Sequence, residues 1–199
     1  MNVSVILAHP DPASFNHALA ESVVDQLIKS CIKVNFHDLY LEQFPSELPA
    51  REFSKNIILP AVIQLHCDEI AQADGIIIIH PNWWGQPPAI LKGWVDRVMR
   101  PGVAYKFIGD DKGEGIPQGL LKARVALVLN TSNTGETREN QVFGDPLETI
   151  WKNCIFGLCG VTNFQRHIFR VMVTSTPEER RQWLKEAEAI TRQVFPQST

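Results

Sequence analysis

Three stretches of the chain carry residue types and spacings suited to holding a flat, partly anionic ligand. In His80-Pro81-Asn82-Trp83-Trp84-Gly85-Gln86-Pro87-Pro88, two adjacent tryptophans and three prolines directly follow an aliphatic run, so rigid aromatic and backbone surface lies beyond it. Neighbouring residues on an extended loop point in different directions, and a Pro/Gly-rich loop is a poor place to hide both rings in a core, which is the competing reading. In Ala8-His9-Pro10-Asp11-Pro12-Ala13-Ser14-Phe15-Asn16-His17, Ser14, Asn16 and the N–H groups of a starting helix could hold a phosphate, with His9 as a hydrogen-bonding or cationic partner. The alternative makes Ser14 a helix N-cap and His9 a satisfied loop histidine. This loop has neither the G-x-G-x-x-G glycines nor a Walker spacing, which counts against a dinucleotide pyrophosphate at the first turn. In Asn130-Thr131-Ser132-Asn133-Thr134-Gly135-Glu136-Thr137, hydroxyls and amides offer partners to a polar heteroaromatic edge or a sugar-phosphate, unless the stretch is a solvated connection.

These stretches need elements that bring them together, and the pattern supplies them. Aliphatic runs at 3–8, 75–79 and 125–129 precede the three loops. They lack polar alternation, as expected for strands buried on both faces. Further strands are predicted over 33–37 and 164–169. A helical pattern follows the first loop through Leu19, Val23, Val24, Leu27 and Ile28. Another runs over 57–73, and a third starts at Pro87-Pro88 with Ile90, Leu91, Trp94, Val95 and Val98 at helical spacing. Residues 147–158 look helical, and a last helix, capped by Ser175 or Thr176 ahead of Pro177-Glu178-Glu179, runs to about 195 and carries Trp183 as an exposed side chain. Pro45 and Pro49 mark the stretch to about 51 as irregular. Strands alternating with crossover helices imply one α/β domain over 1–199, a three-layer sandwich around a five-stranded parallel sheet. In the strand order 2-1-3-4-5 the ends of strands one, three and four are neighbours, and these carry the three loops. Together they describe a phosphate end, an aromatic wall and a polar edge.

Bulk properties narrow the classes. A chain of 199 residues with 44% hydrophobic and 21% charged residues and a net charge of −3 has no general attraction for a phosphate backbone or an anionic membrane, so no nucleic-acid partner is expected. No leader pattern is visible and no apolar run approaches the ~18 residues of a spanning helix, so a cytoplasmic protein is expected. Cys31, Cys67, Cys154 and Cys159 are scattered without C-x-x-C or histidine clustering; they read as reduced, mostly buried thiols, with no metal site.

With these residues in view, the chain resembles the flavodoxin-like NAD(P)H:quinone oxidoreductases, the family of the DT-diaphorases and the smaller bacterial quinone reductases. The resemblance spans about residues 2–170. It rests on the strand leading to His9 and Ser14-Phe15-Asn16, on Asp38-Leu39-Tyr40, on Ala73-Asp74, and above all on Trp83-Trp84-Gly85 through Ala89-Ile90-Leu91-Lys92-Gly93-Trp94, continued by Asp96-Arg97-Val98 and Gly102-Val103-Ala104-Tyr105. It implies a flavodoxin-like fold and a flavin, FMN with FAD as the alternative, with NADPH or NADH as hydride donor and a quinone or similar flat acceptor, in a ping-pong sequence through flavin N5. By resemblance His9, Ser14, Phe15 and Asn16 hold the flavin's phosphate and ribityl end. Pro81, Asn82, Trp83, Trp84 and Gly85 contact the ring, with backbone N–H groups near N5 and O4. Thr131, Ser132, Asn133, Thr134 and Gly135 lie at its other edge.

The resemblance further implies a homodimer, with Tyr105 and Phe107 capping the substrate pocket from the partner subunit. Phe143 falls where larger members place a histidine, in a shorter loop, so no proton-relay residue is assigned. Two rival readings stay open: an ancillary regulatory flavoprotein of a potassium efflux system, with a membrane transporter as partner, and a flavodoxin-type single-electron carrier.

Overall fold

The computed structural model describes residues 1–54, 57–109 and 115–196. Its centre is a five-stranded, all-parallel sheet formed by β1 (Asn2–Leu7), β2 (Lys33–Asp38), β3 (Gly75–Pro81), β6 (Val125–Ser132) and β7 (Asn163–Arg170), in the order β2-β1-β3-β6-β7. Counted along the sheet this is 2-1-3-4-5. β3 and β6 are buried at every position, as their unbroken apolar runs require of strands covered on both sides. The two faces separate residue by residue. Ile76 and Ile78 join Leu91, Trp94, Trp151 and Phe156 in one core, and Ile77 and Ile79 join Leu19, Val23, Phe169 and Phe195 in the other.

The first core lies under α2 (Ala61–Gln72) and α3 (Ala89–Val98), and the second under α1 (Phe15–Lys29) and α6 (Pro177–Val194). Thr176 and Glu179 close a reciprocal capping box on α6. Among the described residues no helix is long and apolar enough to cross a membrane.

Several boundaries differ from expectation for identifiable reasons. α2 starts at Ala61 rather than 57, because Pro60 takes the cap position in an extended conformation and disfavours helix before it. β6 continues through Thr131 and Ser132, which pair with Phe169 and Arg170 of β7; the polar side chains that suggested a loop sit on strand. The segment expected as one helix over 147–158 is a short α-helical turn, α5 (Pro146–Thr149), running into π-helical geometry over Ile150–Gly157; a second π-helical segment, Glu139–Phe143, follows the α-helical turn α4 (Glu136–Arg138). An antiparallel hairpin of β4 (Tyr105–Ile108) and β5 (Ile116–Gly119) was not signalled, being short and carrying exposed Phe107, Ile108 and Ile116. Cys67 and Cys159 are buried, but Cys31 and Cys154 are exposed, against the expectation of mostly buried thiols. Trp183 is not exposed: its ring packs on Phe15 and Phe169.

The stretch over 39–54, irregular apart from a 3-10 turn at Ala50–Phe53, is firmly seated. The Arg97 guanidinium donates to the buried Glu52 carboxylate and to Pro45 O, and Arg100 adds contacts at 3.2 Å to the carboxylate and 2.9 Å to Glu52 O. α3 can approach this closely only because residue 93 is glycine: a Cβ there would lie 2.1 Å from Ser46 O. Alanine would gain about 1 kcal/mol of helix propensity, but the contact is with backbone that cannot swing away, and overpacking of this kind costs about 1–3 kcal/mol. With backbone this close the upper end of that cost applies, so Gly93→Ala is expected to be destabilising by about 2 kcal/mol net in urea unfolding; an unchanged or higher midpoint would show that α3 is not wedged against this segment.

Candidate functional site

The carboxyl ends of β1, β3 and β6 emerge side by side and their loops enclose a cavity of about 390 Å³. This falls within the usual size of small-molecule sites, at the place where doubly wound sheets bind ligands.

The first loop is organised by Asp11. Its carboxylate accepts from Ala13 N at 2.9 Å, its carbonyl from Ser14 N at 3.0 Å, and its own N–H donates to His9 Nδ1 at 3.1 Å. Burial, partly offset by hydrogen bonding to Asp11, holds the His9 pKa below the ordinary histidine range. Ser14 is the N-cap of α1 and lines the cavity as well, so its two readings coexist. Phe15 N and Asn16 N occupy the first helical positions, where no intrahelical acceptor exists. The Phe15 ring packs against Phe169 and Trp183, so any ligand contact through this residue is largely one of backbone. Asn16 is buried; its amide N donates to Thr131 Oγ1 at 2.9 Å while its Oδ1 has no partner.

The second loop makes a tight turn. Trp83 and Gln86 exchange backbone hydrogen bonds at 3.1 and 2.9 Å around Trp84 (φ 58°) and Gly85 (φ 70°), a type I′ geometry that suits Gly and Asn and strains a tryptophan. The core reading of both rings fails: Trp83 is 39% exposed, with its ring 5.9 Å from that of His9, and Trp84 is fully exposed. Backbone donors are fewer than expected. Asn82, Trp83, Gly85 and Gln86 spend their N–H groups on Thr131 O, Gln86 O, Asn82 Oδ1 and Trp83 O, leaving only Trp84 N–H in this turn without an acceptor among the described residues.

The third loop divides between two cavities. Thr131, Ser132 and Asn133 line the first, although Asn133 Oδ1 already accepts from Val173 N at 2.9 Å. Thr134 lines a second cavity of about 560 Å³ with Asn82, Trp84, Gly85, Glu139, Phe143 and Pro146. Asn82 borders both. Phe143 is thus brought beside the site, whereas Gly135, Tyr105 and Phe107 line neither cavity. Glu139 is 1% exposed; Oε1 accepts from Asn82 Nδ2 at 3.1 Å and Oε2 has no partner. Ala13, Met172, Val173 and Arg180 also line the first cavity and were not anticipated. Arg180 reaches it from α6, held by Ser175 Oγ at 2.8 Å and Met172 O at 3.1 Å. Its approach depends on how α6 returns to the sheet, which no local spacing reveals.

Behind the loops a buried chain fixes the strand ends. Trp151 Nε1 and Asn130 Nδ2 both donate to His80 Nε2 at 2.9 Å, and His80 Nδ1 donates to Pro81 O at 2.8 Å. Arg166 donates through Nε to Asn130 Oδ1 at 2.6 Å and through Nη1 to both carboxylate oxygens of Asp145 at 2.7 and 2.8 Å. Burial pushes the His80 pKa down to about 3. Because the unfolded chain takes up this proton near pH 6.5 and the folded one does not, the unfolded state binds more protons between the two values. Stability from this group is full above about pH 6.5 and declines as pH falls toward 3. In urea titrations the wild type should lose stability over that range more steeply than His80→Gln; parallel profiles would contradict a neutral, buried His80.

Comparison with known proteins agrees with this architecture. A family model described as flavodoxin-like fold matches residues 1–194. The chain is 36% identical to an NAD(P)H oxidoreductase of Haemophilus influenzae, covering 85% of this chain and 83% of the relative. It is 30% identical to mouse ribosyldihydronicotinamide dehydrogenase [quinone], covering 90% and 85%. The NAD(P)H:quinone oxidoreductase of Methanothermobacter marburgensis superposes with a TM-score of 0.82 at 28% identity, covering 96% of each chain. With the sheet order, the site at the three strand ends and these matches in agreement, the chain belongs to the flavodoxin-like fold family that includes these NAD(P)H and quinone oxidoreductases.

Proposed function

We propose that this protein is a flavin-dependent NAD(P)H:quinone oxidoreductase, with FMN as its cofactor. The carrying observation is the mismatch of unmet needs in the first cavity. The N–H groups of Phe15 and Asn16 at the start of α1, with Ser14 beside them, and the Arg180 guanidinium that lines the same cavity call for an anion; the orphaned Asn16 Oδ1 calls for a donor such as a hydroxyl. A phosphorylated polyol meets both, and the Trp83 ring, with His9 tilted 57° against it, supplies an aromatic wall for an attached ring. One helix N-terminus and one arginine suit a single phosphate, which favours FMN over FAD.

When bound, the flavin supplies two-electron chemistry, taking hydride from NADH or NADPH and delivering it to a quinone. The chain's part is to bind and orient. Asn82, gripped by Glu139 and Thr131, fixes the turn that carries Trp83. The second cavity, walled by Trp84, Phe143 and Pro146, offers apolar surface of the kind a flat acceptor or a nicotinamide would occupy, and one shared position for both supports ping-pong kinetics. Such a slot beside the first cavity favours a diffusible substrate over single-electron docking. Tyr105 and Phe107 reach neither cavity within the chain, so their capping role requires a second copy, and the proposal includes a homodimer.

The test is direct. Purified protein should be yellow, release FMN on heating as identified by mass, and oxidise NADH or NADPH only when a quinone is present. A protein that takes up neither FMN nor FAD would overturn the proposal. Trp83→Ala should weaken flavin binding about tenfold, or about 1.4 kcal/mol, consistent with loss of one aromatic contact. Leu41→Ala, at an exposed position lining neither cavity, should leave binding unchanged; equal losses in the two variants would contradict the aromatic wall.

A further inference from the structure

We propose that His17 makes the first cavity selective for a flavin that bears a phosphate, by taking up a proton as the phosphate binds; this rests on the flavin reading above. His17 lines neither cavity and acts through Ser14, so it is a positioning residue. Asp38 Oδ1 accepts from the N–H groups of Tyr40 and Leu41, both at 3.1 Å, and its Oδ2 lies 2.9 Å from His17 Nε2. A carboxylate held this way accepts hydrogen bonds, so His17 Nε2 carries a proton. The other ring nitrogen, Nδ1, lies 3.0 Å from Ser14 Oγ.

Proton counting then leaves two arrangements. With a single ring proton, Nδ1 is bare and the Ser14 hydroxyl must donate to it; the oxygen also accepts from His17 N at 3.4 Å, so the proton of Ser14 is committed to the ring and one lone pair remains for the cavity. With a second proton on Nδ1, the ring donates to Ser14 Oγ, the hydroxyl proton is released to point into the cavity, and an imidazolium charge stands directly behind it. A phosphate dianion next to Ser14 favours the second arrangement twice over, as an acceptor for the hydroxyl and as a counter-charge. By thermodynamic reciprocity, phosphate binding raises proton affinity and protonation raises phosphate affinity by the same factor. A flavin without phosphate offers neither contact and has no such coupling.

The groups facing His17 support assigning the proton to this ring. Asp38 approaches from the end of β2, and His9, with Asp11 beside it, from the first loop, the two histidine rings standing 6.3 Å apart edge to face. His9 is the poorer site for the added proton, because its Nδ1 already accepts from Asp11 N and burial disfavours its charged form. Glu21 lies one helical turn along α1, and Arg180, a fixed cation, lines the same cavity as Ser14.

Equilibrium dialysis of the purified protein against FMN and against riboflavin, from pH 7 to pH 9, tests this. The flavin phosphate loses its last proton near pH 6, so the ligand's own charge is constant over that range. For the wild type the FMN Kd should rise about tenfold while the riboflavin Kd stays level. In His17→Gln, which keeps an amide beside Ser14 but cannot titrate there, the rise should vanish. Ser14→Ala, which breaks the relay and leaves the histidine in place, should abolish it too, and His9→Asn should retain it. A pH-independent FMN Kd in the wild type, an equal rise for riboflavin, or a rise that survives both His17→Gln and Ser14→Ala would overturn the proposal. Absence of binding by either flavin at any pH would instead defeat the flavin reading on which it rests.

Discussion

Thr131 ties the three loops of the site into one rigid unit. Its Oγ1 accepts from Asn16 of the first loop, its carbonyl accepts from Asn82 of the second at 2.7 Å, and its own strand leads into the third. These bonds are possible because β3 and β6 pair in register through Pro81 and Thr131, and β1 pairs with β3 on the other side. The apolar runs bury all three strands and so force their polar ends to one edge, where backbone and amide groups can meet only each other or a ligand. Every feature of the cavity, from the N–H groups of α1 to the placement of Trp83, depends on that alignment.

Much of this was legible in the chain itself. Unbroken aliphatic runs at 75–79 and 125–129 gave away strands covered on both sides, and their spacing gave the crossovers and the sheet order. A Ser or Thr cap directly ahead of Pro177 and the helix after Pro87-Pro88 followed from local rules. What was not legible depends on distant contacts. Arg180 is nearly fifty residues from the third loop and reaches the cavity only because α6 folds back over α1. Glu139 lies just beyond the polar stretch at 130–137, and its burial comes from π-helical turns that no periodicity announces. Trp183 was misjudged for a related reason: Phe15 and Phe169, which cover it, belong to different parts of the chain.

The histidines show how one residue type is tuned by its neighbours. His80 is locked neutral by burial with both nitrogens engaged. His37 lies between Glu42 and Glu69, and although burial opposes the charged form, these carboxylates raise its pKa overall. His66 stacks against it at 3.9 Å, and the three groups His37, Glu42 and His66 stand close enough to suggest a metal site. The indole N–H of Trp94 donates to His66 Nδ1, however, so the ring proton of neutral His66 must reside on Nε2, the very atom that would have to coordinate. Proximity of ligand types is not sufficient when their other atoms are already spoken for.

The turn at Trp84 has a meaning beyond geometry. A bulky aromatic in the left-handed region, surrounded by water, worsens both backbone strain and solubility, and either glycine or asparagine would relieve it. An indole held at such a tip adds nothing to the folding of the isolated chain, so its apolar surface is left over for a contact outside it.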